Sequence, residues 1–326
     1  MRSLEVDIER FPIAGTFTIS RGSRTEAVVV TAAIREGAHA GRGECVPYAR
    51  YGETVEGVAE TIRGMADRIA AGLDRQALRQ MLPGGAARNA LDCALVDLES
   101  KLAGKPAHLL LGCSPPGRHV TCYTLSLGAP ESMEEAARAA SGRALLKVKL
   151  GGEGDVARIA AVRRGAPKSR LVVDANEAWR AETLRANLEA CAAAGVELIE
   201  QPLPAGQDEA LSGIVSPIPL CADESMHDSK SLAHLPPWYS AINIKLDKTG
   251  GLTDALELRA AALAKGLKIM VGCMVGTSLA MAPALLLAEG ARFVDLDGPL
   301  LLAKDRDPAL SYPESFVEPA GPGLWG

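Results

Sequence analysis

From about residue 119 to residue 300 the chain repeats one pattern, and this pattern limits its fold more than any other feature. Short β-branched or apolar runs (VTCYTLSL, ALLKVKL, RLVVDAN, VELIEQP, IPLCADES, AINIKLD, LKIMVGCM and RFVDLDGP) recur at intervals of about two dozen residues. Each is followed by an Ala/Leu/Arg/Glu-rich helical stretch, as parallel strand–helix–strand units require. Eight strands with seven intervening helices predict a TIM-type (β/α) barrel over residues 116–304. A doubly wound sheet would normally show fewer strands and a phosphate-binding glycine fingerprint. GGEGD, after the second run, lacks the G-x-G-x-x-G spacing and reads as a strand-to-helix turn.

Residues 1–115 have a different texture. SLEVDIER, EAVVVTAAIRE and HAGRGECVP predict a small antiparallel meander. Helical patterns follow over Thr54–Ala71 and Ala86–Leu102, the second ended by Gly104 and Pro106. This is an α+β capping domain. In its second helix Asn89, Asp92 and Asp97 are explained by solvation of the helix face and packing. The Pro- and Gly-rich residues 305–326 are expected to return over the barrel or cap.

Composition removes several function classes. Net charge is 35 − 40 = −5 with no basic run, and aromatics are 4%, so neither nucleic acid nor an acidic membrane is an expected partner. No apolar stretch is long enough to span a bilayer. Seven dispersed cysteines form no C-x-x-C pair and read as free thiols in a reducing cytoplasm. The composition leaves room for a homo-oligomer.

The barrel runs carry charge near their C-terminal ends, where barrel active sites form. The second has Lys147 and Lys149, the third Asp174, the fourth Glu200, the fifth Asp223 and the sixth Lys245; the eighth has Asp295 and Asp297. A lone Asp there is ordinarily a helix cap and a lone Lys is ordinarily solvated. Recurrence over six strands favours one shared site. Residues two apart share a face, so Lys147/Lys149 and Asp295/Asp297 are expected to project toward the mouth as pairs. Three carboxylates without His or Cys suit a hard cation, Mg²⁺ first and Mn²⁺ second, rather than zinc. His227 is expected at the surface or behind the site. Lysines on strands two and six flank the carboxylates. That arrangement suits removal of an α-proton from a metal-bound carboxylate substrate through an enediolate, with return of a proton to the opposite face. A cation and Lys147 nearby would favour the neutral, basic form of Lys149.

The ordered blocks KVKLGG, VVDANEAW, IEQPLP, CADES, INIKLDKTGGLTDAL and VDLDGP resemble the enolase superfamily, in its muconate-lactonising-enzyme-like subgroup. Lysine bases acting with Mg²⁺ are that superfamily's established chemistry. The resemblance covers the whole chain and implies a modified TIM-type barrel beneath an α+β cap. Within the subgroup the chain is similar to dipeptide epimerases, especially those acting on L-Ala-D/L-Glu. The resemblance implies that Lys149 and Lys245 are the acid/base pair, with Lys147 assisting. It makes Asp174, Glu200 and Asp223 the metal ligands, with Asn176 and Glu224 behind them. Asp295 and Asp297 would bind the ammonium of a dipeptide. In the FTISRGSRTEA loop, Arg24 matches the arginine that meets a glutamyl side chain, and Arg21 matches less well. GRGECVPYARYGET, with Tyr48 and Tyr51, is similar to the segment that closes the pocket.

The expected function is epimerisation of the C-terminal residue of L-Ala-D/L-Glu in murein peptide metabolism. The alternative is a lyase or cycloisomerase of the same scaffold, of the o-succinylbenzoate synthase or muconate cycloisomerase type. Those substrates have no ammonium for Asp295 and Asp297, and N-acylamino-acid racemisation is disfavoured on the same ground. A catalytically silent barrel would require missing site residues, and none is missing.

Overall fold

The computed structural model describes all 326 residues. Its N-terminal part opens with a three-stranded antiparallel sheet, Ser3–Ile19, Gly22–Glu36 and His39–Cys45, in sequential order. The first two strands form one long hairpin, with Phe17 opposite Arg24 and Ile19 opposite Gly22. FTISRGSRTEA is therefore the tip of a hairpin rather than a free loop. Only Ser20 and Arg21 separate the strands, and Gly22, at φ +136°, supplies the turn conformation. The helical pattern over Thr54–Ala71 is broken into Val55–Arg63 and Ala66–Ala70 because Gly64 ends the first turn set. Thr54 caps its start by accepting from Gly57 N–H at 3.1 Å.

The helix Ala86–Ala103 is the keel of the cap, buried on both sides. On one side it lies directly on the third cap strand. A Cβ at Gly41 would fall 2.1 Å from Ala94 O, and one at Gly43 2.1 Å from Ala90 O, so only glycine admits this approach. On the other side its polar residues dock onto the barrel and the C-terminal segment, which corrects the solvated-face reading. Asn89 donates to Asp247 Oδ1 at 2.8 Å, Asp92 accepts from Thr253 N–H at 2.9 Å, and Asp97 accepts from Gly326 N–H at 2.8 Å. They are polar because buried backbone and side-chain groups across the seam need partners, not because water does. Trp325 Nε1 donates to Cys93 O at 3.1 Å, which lays the C-terminal segment along the same helix.

The second part is a parallel eight-stranded barrel: Tyr123–Leu125, Leu145–Lys149, Arg170–Asp174, Val196–Glu200, Leu220–Ala222, Ala241–Ile244, Lys268–Val271 and Phe293–Val294. The strands pair in sequential order, and a parallel bridge between Thr121 and Val294 joins last to first. Period-two alternation sorts their residues. Leu146, Val148, Leu171, Val173, Ile199, Ile242 and Ile244 face outward into the large core shared with the helices. Leu145, Val172, Leu198, Cys221, Ala241, Met270 and Phe293, one from each of the last seven strands, and Cys122, just before the first, fill the inside as an apolar floor.

Two of the seven expected helices are absent. The connections after the fourth and fifth strands hold only single 3₁₀ turns, Asp208–Leu211 and Ser231–His234. Pro202, Pro204, Gly206, Gly213, Pro217 and Pro219 break the first stretch, and Pro236 and Pro237 cut the second short. A buried polar network orders them instead. Gln201 accepts from Asp223 N–H and Ser225 N–H and donates to Leu203 O, while Tyr239 donates to Asp208 Oδ1 at 2.5 Å. All seven cysteines are free, and no helix is long and apolar enough to cross a membrane.

Candidate active site

Directly above the apolar floor, five of the eight next inward positions carry charge: Lys147, Asp174, Glu200, Asp223 and Asp295. Strand register sets Lys149 beside Asp174 and Asp174 beside Glu200, while Asp223 lies two residues beyond the partner of Glu200. Lys147, Lys149, Asp174, Glu200, Asp223, Lys245, Asp295 and Asp297 are all buried. Unpaired, each of these charges would be strongly unfavourable there.

The charges neutralise one another. The Lys147 ammonium donates to Asp295 Oδ2 at 2.7 Å, lies 2.6 Å from Glu200 Oε2 outside hydrogen-bond geometry, and is 3.4 Å from Asp174. Lys149 donates to Asp174 Oδ2 at 2.6 Å, and Lys245 donates to Asp223 Oδ2 at 2.6 Å. Burial disfavours the charge on Lys147 and Lys245. The surrounding carboxylates, Asp295 first for Lys147 and Asp223 first for Lys245, outweigh it and hold both pKa values well above the ordinary lysine range. Asp174 resists burial through Lys149 and Lys147 and falls to about 2. Glu200 is pushed up to about 7 by burial and then by Asp174 and Asp223.

The three central carboxylates crowd one another, yet their oxygens are turned to lysines rather than to a common centre. The fit to a hard divalent cation is good on donor chemistry. All three are oxygen ligands on consecutive strands, and Glu200 Oε2 has no hydrogen-bond partner. The lysines act as their counter-ions.

Three buried groups that the sequence reading passed over support this layer. Asn243 donates to Glu200 Oε1 at 2.7 Å. It sits one strand period before Lys245, so the same alternation that singled out Lys245 could have found it. Gly272 makes room for Asn243, since a Cβ there would lie 2.4 Å from its Oδ1. Lys248, on the short helix Leu246–Thr249, is fully enclosed and donates to Asp223 Oδ1 (2.6 Å), Asp223 O, Met226 O and Asn243 O. Gln201, at φ +34°, holds the Asp223 N–H at 2.9 Å.

Asn176 N–H donates to Asp174 Oδ1 at 2.9 Å, and its own carbonyl accepts from Ser20 Oγ and from Arg21. Asn176 and Glu177 both have positive φ (45° and 67°), so the chain leaves the third strand through consecutive left-handed residues. Glu224 is pushed up to about 7 by burial and by Asp223 and Asp174, and it takes Arg21 at 2.8 Å.

Arg21 and Arg24 divide the hairpin tip between them. Arg21 is fully engaged, with Asn176 O, Glu177, Glu224 and the Tyr48 hydroxyl. Arg24 has no carboxylate partner; its guanidinium carbon lies 5.5 Å from the centre of the Tyr48 ring. Both line a cavity of about 740 Å³, its mouth included, between cap and barrel. Lys149, Lys245, Asp223, Glu224, Asn176 and Met274 are on its barrel side, and Tyr48, Tyr51, Phe17 and Ile19 are on its cap side. His227 is half-buried behind it, its Nε2 paired with Glu224 O.

Asp295 and Asp297 are not among the lining residues and do not project together. Asp295 turns to Lys147, while Asp297 accepts from Thr124 N–H at 2.6 Å. Asp295 keeps the inward alternation set by Phe293, whereas Asp297 opens the 3₁₀ turn Gly298–Leu301, whose geometry directs its side chain. Asp295 Oδ1 stays buried without a partner, and burial next to Asp295 raises Asp297 to about 7.

A capped barrel with opposed lysines and a carboxylate cluster at its C-terminal mouth defines an enzyme class built for proton transfer beside a carboxylate. Residues 1–112 match the mandelate racemase / muconate lactonizing enzyme N-terminal domain, and residues 131–324 match the enolase C-terminal domain-like family. The chain belongs to this family, in the enolase superfamily. It is 45% identical over 314 residues to the L-Ala-D/L-Glu epimerase of Escherichia coli (strain K12), covering 96% of this chain and 98% of the relative. It is 47% identical to the N-acetyl-D-glutamate racemase of Pseudoalteromonas sp, over 88% of this chain and 91% of the relative. A crystal structure of an enolase family member from Agrobacterium tumefaciens with homology to dipeptide epimerases superposes with a TM-score of 0.98. It is 56% identical over the whole of both chains and holds sodium and L-Ala-L-Glu with an ordered loop. A dipeptide epimerase from Enterococcus faecalis V583, complexed with Mg and L-Leu-L-Tyr, has a TM-score of 0.91 at 28% identity over 99% of each chain.

Proposed function

We propose that this protein is a Mg²⁺-dependent dipeptide epimerase that inverts the C-terminal residue of L-Ala-D/L-Glu. The observation that carries this reading is the placement of Lys149 and Lys245 on the second and sixth strands, with Asp174, Glu200 and Asp223 on the three strands between. A divalent cation held by those three carboxylates would supply positive charge to the substrate carboxylate and relieve the lysines of their counter-ion role. Lys149 and Lys245 then act from opposite sides of the mouth, one removing the α-proton and the other returning a proton to the opposite face. Lys147, buried among Asp295, Glu200 and Asp174, keeps a fixed positive charge beneath the developing negative charge. Asn176 orients Asp174, and Glu224 anchors Arg21 of the cap.

Two features support a dipeptide with an acidic second residue. Asp295 Oδ1 and Asp297 form a buried acidic corner that suits the substrate ammonium. Arg24, uncommitted on the cap side, suits a side-chain carboxylate. We place the activity in murein peptide metabolism in the cytoplasm, a reducing compartment supported by seven unpaired thiols. Incubation with Mg²⁺ and L-Ala-L-Glu in D₂O is expected to give α-deuterium and the L-Ala-D-Glu diastereomer. Inertness toward this and other acidic dipeptides would overturn the proposal.

A second reading is racemisation of an N-acylated glutamate. The Pseudoalteromonas relative favours it, as does the engagement of Asp295 by Lys147 and of Asp297 by Thr124. The two readings share the glutamyl end and differ at the amine. A larger kcat/KM for N-acetylglutamate than for L-Ala-L-Glu would select the second.

A further inference from the structure

The cap wall of the cavity carries one polar group that nothing in the protein satisfies. The Tyr51 hydroxyl is buried and has no hydrogen-bond partner, although buried hydroxyls nearly always have one. Its aim is fixed from two sides. The Tyr51 ring stands edge-on to Tyr48 (centroids 5.4 Å apart, 60°) and to His227 (4.6 Å, 72°). His227 is itself tied to Glu224 O at 3.1 Å. An orphan hydroxyl held this rigidly in a cavity wall marks a place where a ligand supplies the acceptor.

The other cap-side polar groups narrow which acceptor. Arg21 is used up by Asn176, Glu177, Glu224 and Tyr48, and the Tyr48 hydroxyl accepts from Arg21 while keeping its own proton to donate. Arg24, Tyr51 and that Tyr48 proton remain, and of the two hydroxyls only Tyr51 is buried with no partner at all. The substrate's α-carboxylate belongs at the barrel side, near Lys149, Lys245 and the carboxylate cluster. With the α-carboxylate at the barrel side, the side chain of the residue being inverted is the part of a dipeptide left to face the cap wall. We propose that Tyr51 is a specificity-determining donor, its hydroxyl hydrogen-bonding the side-chain carboxylate of that residue alongside Arg24. This rests on the dipeptide reading above. Burial, and after it Asp223, pushes the phenol's pKa far up, so it stays a donor throughout the neutral range.

Binding and turnover separate the two ideas. Calorimetric titration with L-Ala-L-Glu and L-Ala-L-Met, in the presence of Mg²⁺, is carried out on the native chain and on Tyr51→Phe. The native chain is expected to bind the acidic dipeptide more tightly. Tyr51→Phe, which removes one oxygen and keeps the ring packing, is expected to lower that preference about tenfold and to leave L-Ala-L-Met unchanged. KM for L-Ala-L-Glu should rise with kcat nearly constant. An equal loss on both dipeptides would assign Tyr51 to the α-carboxylate or to packing and overturn the proposal. No loss on either, or no preference in the native chain, overturns it as well. Intact selective binding without deuterium exchange would instead sink the epimerase reading and leave Tyr51 in its role.

Discussion

The inside of the barrel is two layers built on the same eight strands and separated by one strand period. In the lower layer, Cys122, Leu145, Val172, Leu198, Cys221, Ala241, Met270 and Phe293 are closely packed and apolar. In the upper layer Lys147, Asp174, Glu200, Asn243 and Asp295 occupy the positions one period further along their strands. The two layers are about equally buried, and their chemistry is opposite. Burial in the floor stabilises the fold by removing apolar surface from water. Burial in the mouth desolvates charges that are useful only because they are held away from water. The difference teaches that stability and reactivity are stacked along each strand, so single substitutions should separate them.

The largest expected effect is on the upper layer alone. Lys149→Ala and Lys245→Ala are each expected to lower turnover by about 10²- to 10⁴-fold, with proton exchange lost from one face in each variant. With saturating Mg²⁺ to neutralise Asp174 and Asp223, their melting temperatures should stay near that of the native chain. A drop comparable to that of a core variant would break the comparison.

Lys147→Met tests whether the mouth depends on its internal ion pairs. Removing this ammonium leaves Asp295 and Glu200 buried without their cation. Without added metal the chain is expected to lose about 3–5 kcal/mol by urea denaturation. Saturating Mg²⁺ should restore part of it; a loss that ignores Mg²⁺ would separate Lys147 from the carboxylate cluster.

The floor gives the mirror image. Leu198→Ala is expected to cost about 2–5 kcal/mol while the folded fraction keeps its KM. A KM change larger than the stability change would show that the layers are coupled.

Arg24→Met sharpens the comparison at the cap wall. KM for L-Ala-L-Glu should rise about tenfold, with no rise for L-Ala-L-Met. Equal rises on both would remove Arg24 from side-chain recognition.

The smallest effect belongs to the seam between cap and barrel. Asp247 is pushed from 3.8 to about 7 by burial, with Asn89 and Val46 N–H opposing. A carboxyl whose folded pKa is raised binds more protons folded than unfolded between those two values. Its contribution therefore favours the fold at low pH and declines as pH rises from about 4 through 7. Asp247→Asn should flatten the pH dependence of the melting temperature in that window; an unchanged profile would contradict the buried assignment.

Much of this was legible in the chain. Eight evenly spaced apolar runs specify the strands because a parallel strand buried on both faces leaves an uninterrupted run. Charges at their ends stand out because such a run excludes them otherwise. Period-two alternation sets Lys147, Lys149, Asp174, Glu200, Asp223 and Lys245 facing inward, and the same rule reaches Asn243. It also sets Asp295, one period beyond Phe293, against Lys147, but it does not reach Asp297, which opens the 3₁₀ turn Gly298–Leu301, where local turn geometry rather than pleat directs the side chain. It also fails for the helix Ala86–Ala103. Polar residues bonded across a buried seam have the same helical pattern as residues facing water, so Asn89, Asp92 and Asp97 could not be sorted by sequence.

By itself, then, the sequence determined the repeat, the barrel and the identity of the charged groups at its mouth, because strand period and burial are local and additive along the chain. Only the tertiary structure decided which charge meets which. Lys147 turns to Asp295, Glu200 and Asp174; Lys248 encloses Asp223; Arg21 is committed while Arg24 and the Tyr51 hydroxyl are left open. Those pairings join residues up to 203 positions apart, as between Arg21 and Glu224. They depend on distances of a few ångströms between elements that no local pattern encodes.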